Sequence, residues 1–160
     1  MPIIILSMLK PGDTFPDFEL QDQNGETVKL ADLKGQKAVI FFYPKDDTTG
    51  CTAEACEFRD ASPSYPETRV IGVSPDPVKS HRKFVDKYNL NFTLLADPTH
   101  ELLEAVGVWV EKSMYGKTYM GVARTTFVLD ENGIIKHVFE KVKPQGHAAE
   151  IERALLTPER

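Results

Sequence analysis

Cys51 and Cys56 are the only two thiols in this chain, and they stand together in the stretch Pro44-Lys45-Asp46-Asp47-Thr48-Thr49-Gly50-Cys51-Thr52-Ala53-Glu54-Ala55-Cys56. Before it, Ala38 to Tyr43 form an unbroken apolar run, the pattern of a strand buried on both faces. After it, Thr48 to Asp60 are rich in Ala and Glu and read as a helix. Cys51 therefore falls just past a strand's carboxyl end and at a helix start, where open α/β sheets gather their sites. Free backbone amides and the helix dipole there favour an anion, so the position suits a thiolate and its nucleophilic or redox chemistry. Gly50 and the flanking threonines argue against Cys51 as a residue buried in an apolar core.

Spacing removes two alternatives. A thioredoxin-type motif is Cys-x-x-Cys, whereas four residues separate this pair. A structural zinc site needs four ligands, and His81, His100, His137 and His147 show no ligand-like spacing with the cysteines. No metal site is expected. A Cys–His hydrolase stays open, because its histidine is distant in sequence. Each histidine here reads as a surface or helix-face residue.

The elements that must position the cysteines follow from periodicity and punctuation. Phe18 to Leu30 reads as a β-hairpin turning at Asn24-Gly25. Pro44 ends the Ala38 to Tyr43 strand, since proline cannot donate to a ladder. Val70 to Ser74 is a second buried strand. Val78, His81, Val85 and Tyr88 recur at helical spacing. Phe92 to Ala96 reads as a short strand and Glu101 to Val106 as a helix. Arg124 to Leu129 and Ile134 to Phe139 form a hairpin around Glu131-Asn132-Gly133, and a last helix runs from His147 to Leu156. Strands alternating with helices, then a hairpin and a final helix, predict an α/β fold with a mixed sheet. One domain over residues 1–160 is expected for a chain of 160 residues, with residues 1–9 as a loosely held tail. Met8 offers a second start.

Composition narrows the function classes. With 41% hydrophobic and 27% charged residues the chain is ordinary globular material, and its net charge of −5 argues against nucleic acid or an anionic membrane as partner. No apolar stretch reaches the length of a membrane span. The apolar start carries no basic residue before Lys10, unlike a secretory signal, so cytoplasmic residence is the default reading.

The chain resembles the peroxiredoxins, and among them the peroxiredoxin Q or bacterioferritin comigratory protein subfamily, from about Lys10 to Leu156. The family signature Pro-x-x-x-(Thr/Ser)-x-x-Cys is met by Pro44, Thr48 and Cys51. The family's active-site arginine matches Arg124 in Arg124-Thr125-Thr126-Phe127, and Gly107-Val108-Trp109-Val110-Glu111-Lys112 with Gly116-Lys117 is similar to a segment typical of the subfamily. The resemblance implies a thioredoxin-like fold with an N-terminal β-hairpin extension and a central mixed sheet flanked by helices. It implies reduction of hydrogen peroxide and alkyl hydroperoxides at Cys51, with Cys56 as the resolving cysteine, recycling by thioredoxin or a similar dithiol, no cofactor, and a monomer. Thr49 stands where the family usually has proline. Pro63 and Pro66 limit the cysteine-bearing helix to Ala61 or Ser62.

Lowering a thiol's pKa does not by itself make a peroxidase. A fall from ~8.5 to ~6 raises the thiolate fraction about thirtyfold, while the accompanying loss of nucleophilicity takes back roughly tenfold. Donors aimed at the peroxide oxygens must supply the rest. Thr48 and Arg124 are the side chains suited to this, with the amides near Gly50 and Cys51, and Pro44 as a wall against water. Glu54 reads as an exposed helix-face residue. In an intact helix Cα atoms five residues apart lie about 8.7 Å from each other, beyond the roughly 7 Å that a disulfide spans. Any Cys51–Cys56 bridge therefore requires the helix to unwind. A peroxide-sensing switch and a general disulfide reductase are the competing functions.

Overall fold

The run predicted as a buried strand is β3, Lys37–Phe42. Its alternation divides the molecule in two: Ala38, Ile40 and Phe42 belong to one apolar cluster, and Val39 and Phe41, with Tyr43 beyond the strand's end, belong to the other. This computed structural model describes residues 8–156. The predicted tail falls mostly outside them, as does the segment before Met8. Met8 and Leu9 themselves pack against the core, and the Leu9 N–H donates to the Val106 carbonyl at 3.2 Å, so these two residues are not loosely held.

Seven strands form the sheet. β1 (Glu19–Asp22) and β2 (Thr27–Lys29) make the N-terminal hairpin, with Gly25 at φ +77 in its turn. After β3 come β4 (Thr68–Ser74) and β5 (Thr93–Ala96). A two-stranded ribbon, β6 (Trp109–Met114) and β7 (Lys117–Val122), stands apart from the sheet. β8 (Thr125–Leu129) and β9 (Ile135–Glu140) complete the order β2-β1-β5-β4-β3-β8-β9. β3, β4 and β5 are parallel, and the flanking pairs are antiparallel. The expected mixed sheet is present.

Helices α1 (Thr49–Ala61), α2 (Val78–Tyr88) and α4 (His147–Leu156) contribute buried side chains to the cluster around Phe41, while α3 (Glu101–Val106) contributes to the cluster around Phe42. α1 ends at Ala61 and passes into a 3-10 turn over Ser62–Ser64, as the prolines require. In the middle of β4, Gly72 lies under Phe41 and Leu94; a Cβ there would sit 2.8 Å from each of those side chains. Of the two positions expected for the histidines, surface or helix face, His81 and His147 take the second, at 0% and 2% exposure. Each lies on the inward face of its helix with its ring nitrogens hydrogen-bonded, which satisfies buried polar atoms. The β6–β7 ribbon had no counterpart among the elements expected from the sequence, and it exposes Met114, Tyr115, Tyr119 and Met120.

Candidate active site

Antiparallel pairing brings the site together. Phe42 at the end of β3 pairs with Thr125 at the start of β8, so Arg124, one residue earlier, lies beside the loop that leaves β3. The Arg124 carbonyl accepts the Val142 N–H at 3.1 Å, which fixes its backbone. Its guanidinium then reaches the first turn of α1: Nη2 donates to Cys51 Sγ at 3.0 Å and Nη1 to Glu54 Oε1 at 3.3 Å. Cys51 and Glu54 are three residues apart and share one helix face. Gly50 makes the approach possible. A Cβ at that position would stand 2.9 Å from Arg124 Nη2 and 3.3 Å from the Pro144 ring.

Two expectations are corrected here. Cys51 is 1% exposed and part of the apolar cluster, not held clear of it by Gly50 and the threonines, because the arginine lies over the sulfur. Glu54 is also 1% exposed, not an outward helix residue. Its burial pushes its pKa up from 4.5 to about 7, against the opposing attraction of Arg124 and with some help from Glu57. Sequence reasoning could have found it from the three-residue offset to Cys51, which puts both on one face.

The other expected residues lie between the end of β3 and the middle of α1. Pro44 follows β3 half-buried, and the preceding Tyr43 N–H makes the last sheet bond, to the Val73 carbonyl at 3.1 Å. Thr48 is exposed and occupies the cap position of α1 without capping through its side chain. Its hydroxyl donates instead to the Lys45 carbonyl at 2.9 Å, and its backbone carbonyl accepts the Thr52 N–H. Cys56 is half-buried on the same continuous helix as Cys51, and both thiols are free. Lys112, on β6, is a residue with no role expected from its sequence context. It lies across Gly121, where a Cβ would meet its side chain at 3.2 Å. Burial and the neighbouring Arg124 lower its pKa, while Cys51 pulls the other way.

One group among the described residues has metal-like geometry: ligand atoms of Asp46, Asp76 and His81 lie within 4.8 Å of one another. Their oxygens already meet the hydroxyls of Tyr43, Ser74 and Ser80, the Asp46 N–H and the His81 ring. These contacts engage them as a hydrogen-bond network.

A thiol under a fixed arginine at a helix start is the arrangement that comparison with known proteins places in context. Residues 11–138 match the model of the AhpC/TSA family. The chain belongs to the AhpC/TSA family. Within this family it is 49% identical over 146 residues to peroxiredoxin Bcp of Bacillus subtilis, covering 90% of this chain and 93% of that one. Peroxiredoxin Bcp of Escherichia coli is 44% identical over 144 residues, covering 89% and 92%. The solved bacterioferritin comigratory protein of Xanthomonas campestris, studied for alkyl peroxide reduction, superposes with a TM-score of 0.84 at 37% identity, covering 92% and 95%. The thioredoxin-like fold is thus the family's, and this peroxiredoxin is a thiol-dependent peroxidase.

Proposed function

We propose that Cys51 is the peroxidatic cysteine, Cys56 the resolving cysteine, and Thr48, Arg124 and Pro44 the residues that shape the peroxide site. The observation that carries this reading is the 3.0 Å contact of Arg124 Nη2 with Cys51 Sγ. Arginine keeps its charge and presents several donors in one plane, so it can hold the thiolate and a peroxide oxygen together. The sulfur lone pair attacks the terminal oxygen of ROOH and the O–O bond breaks. The second oxygen leaves with the bonding pair, takes a proton and departs as alcohol or water. Cys51 is left as a sulfenic acid. Developing charge on the leaving oxygen is met by the guanidinium and by backbone amides of the first turn. The Thr48 hydrogen is committed to Lys45, so its lone pairs are free to accept the peroxide O–H.

In the second step the Cys56 thiolate attacks the sulfenic sulfur, an S–S bond forms, and hydroxide leaves and is protonated to water. α1 is continuous through both residues, so this step follows unwinding of its first turns. A dithiol such as thioredoxin then reduces the bridge. Hydrogen peroxide and alkyl hydroperoxides are the substrates, and all five site residues come from one chain, which acts as a single-domain monomer in the cytoplasm. No helix among the described residues is long and apolar enough to cross a membrane. The burial of Cys51 disfavours a general disulfide reductase, whose protein substrates could not reach the sulfur.

The test is NADPH oxidation with thioredoxin, its reductase and hydroperoxide. Catalytic turnover is expected. A single stoichiometric oxidation would instead identify a sensor, and disulfide reduction without peroxide a reductase.

A further inference from the structure

A buried hydrogen-bond network holds the loop between β3 and α1, next to the helix start that carries Cys51. Asp46 is 7% exposed. Its Oδ1 accepts the Tyr43 hydroxyl at 2.5 Å, and its Oδ2 accepts the Ser80 hydroxyl at 2.8 Å and meets His81 Nδ1 at 2.7 Å. The His81 ring, fully buried, is held from its far side by Nε2 against the Leu95 carbonyl at 3.0 Å. The Asp46 N–H donates to Asp76 Oδ2 at 2.8 Å, and that oxygen also accepts the Ser74 hydroxyl. The loop that leaves β3 is thereby fastened to β4, β5 and α2 at a single residue. Asp47 is fastened as well. It holds φ +56 while its carboxylate accepts from Lys87 Nζ at 2.8 Å and the Tyr88 hydroxyl at 2.7 Å.

Such a network costs desolvation, and a connection between one strand and one helix could be fixed by apolar packing alone. What it fixes is the carbonyl beside it. Lys45 precedes Asp46, and the Lys45 carbonyl is the acceptor that orients the Thr48 hydroxyl. We propose that Asp46, held by Tyr43, Ser80 and His81, is a positioning residue for peroxide reduction, setting the Lys45 carbonyl and through it the direction of the Thr48 lone pairs. This inference rests on the assigned role of Thr48. The path is covalent and short: carboxylate, two backbone residues, one hydrogen bond, hydroxyl. A carboxylate held at both oxygens by three partners cannot drift, so the hydroxyl is aimed before the substrate arrives. Small misplacements of a positioning group are costly.

The experiment uses full-length protein with Cys56→Ser, so that Cys51 oxidation is read alone by quenching and mass analysis. Tyr43→Phe and His81→Asn are each measured with and without Thr48→Val, against hydroperoxide and against iodoacetamide, which carries no O–H for Thr48 to accept. Tyr43→Phe keeps the ring packing, and its result decides the matter if His81→Asn does not fold. The expected result is a loss on the order of tenfold with peroxide, alkylation within about twofold of the parent, and less than about twofold further loss once Thr48 is Val. Unchanged peroxide rates, equal losses with both reagents, or equal losses in both backgrounds would overturn the inference. If Thr48→Val alone leaves the rate intact, the role assigned to Thr48 fails and the inference with it. If Thr48→Val is slow and the network variants are not, only the inference fails.

Discussion

Arg124 is the side chain whose geometry does most at the residue scale, and its two donors serve two different acceptors. Arg124→Lys keeps the charge and loses the fork. We expect the rate of Cys51 oxidation to fall on the order of a hundredfold, the size of effect that follows removal of a preorganised donor, with rapid-quench kinetics as the check. Gly50→Ala separates geometry from stability. Alanine favours a helix more than glycine does, yet its Cβ would press the guanidinium from 2.9 Å. Unchanged or raised thermal stability with a roughly tenfold slower oxidation is the expected pair of results.

Glu54 gives a pH signature at the same scale. Its native pKa of about 7 lies above the unfolded value of 4.5, so the native chain keeps a proton that the unfolded chain releases. The stability it contributes is therefore full below about pH 4.5 and is lost as pH rises to about 7. The amount is on the order of 3 kcal/mol. Glu54→Gln should flatten this part of the stability–pH curve in denaturant titrations between pH 5 and 8. The same slope in wild type and variant would assign it elsewhere. Cys51 and Arg124, which the fold brings into contact, could be singled out through the family motifs they match. Glu54 was not, because a glutamate on a helix is ordinarily exposed, and only the arginine arriving from β8 explains its burial.

At the scale of elements, the proposed cycle requires α1 to adopt two states. Its first turn sits between the anchored Asp46–Asp47 and a second set of ties further along. Arg59 Nη1 donates to the Tyr88 carbonyl at 2.7 Å and Asn91 donates to the Arg59 carbonyl at 3.0 Å. Between these fixed ends, Glu57 accepts the Gly146 N–H at 2.9 Å. Oxidation should remove amide-exchange protection from residues 50–57 and leave Arg59 to Ala61 protected. Retained protection throughout would mean the disulfide forms by another route. Glu57→Ala, which releases the tie to Gly146, should speed disulfide formation several-fold in a thiol-loss assay. The helix ends were readable from Pro63 and Pro66, and the sheet from its apolar runs. The β6–β7 ribbon was not: Trp109 to Met114 lacks clean alternation, because much of its surface faces solvent and no sheet face demands it.

At the scale of the whole molecule, the two apolar clusters lie on opposite faces of β3, and the site sits at the end of that strand, where α1 begins. The exposed Met114, Tyr115, Tyr119 and Met120 belong to a ribbon outside the sheet. Sedimentation of reduced and oxidised protein is expected to give one species, the monomer of the proposed function. A dimer in both states would correct this. The fold class followed from element order alone and the inward face of His81 from its spacing with Val85, but the burial of His147 did not, because its partner Thr126 comes from a distant strand.

The most direct test of the central claim is where one oxygen atom goes. Cys56→Ser protein treated with one equivalent of hydroperoxide in the presence of a sulfenic-acid trap should carry the trap on the peptide bearing Cys51, and Cys51→Ser protein should consume no peroxide. Trap found on another residue, or peroxide consumed at the wild-type rate without the Cys51 sulfur, would contradict the account.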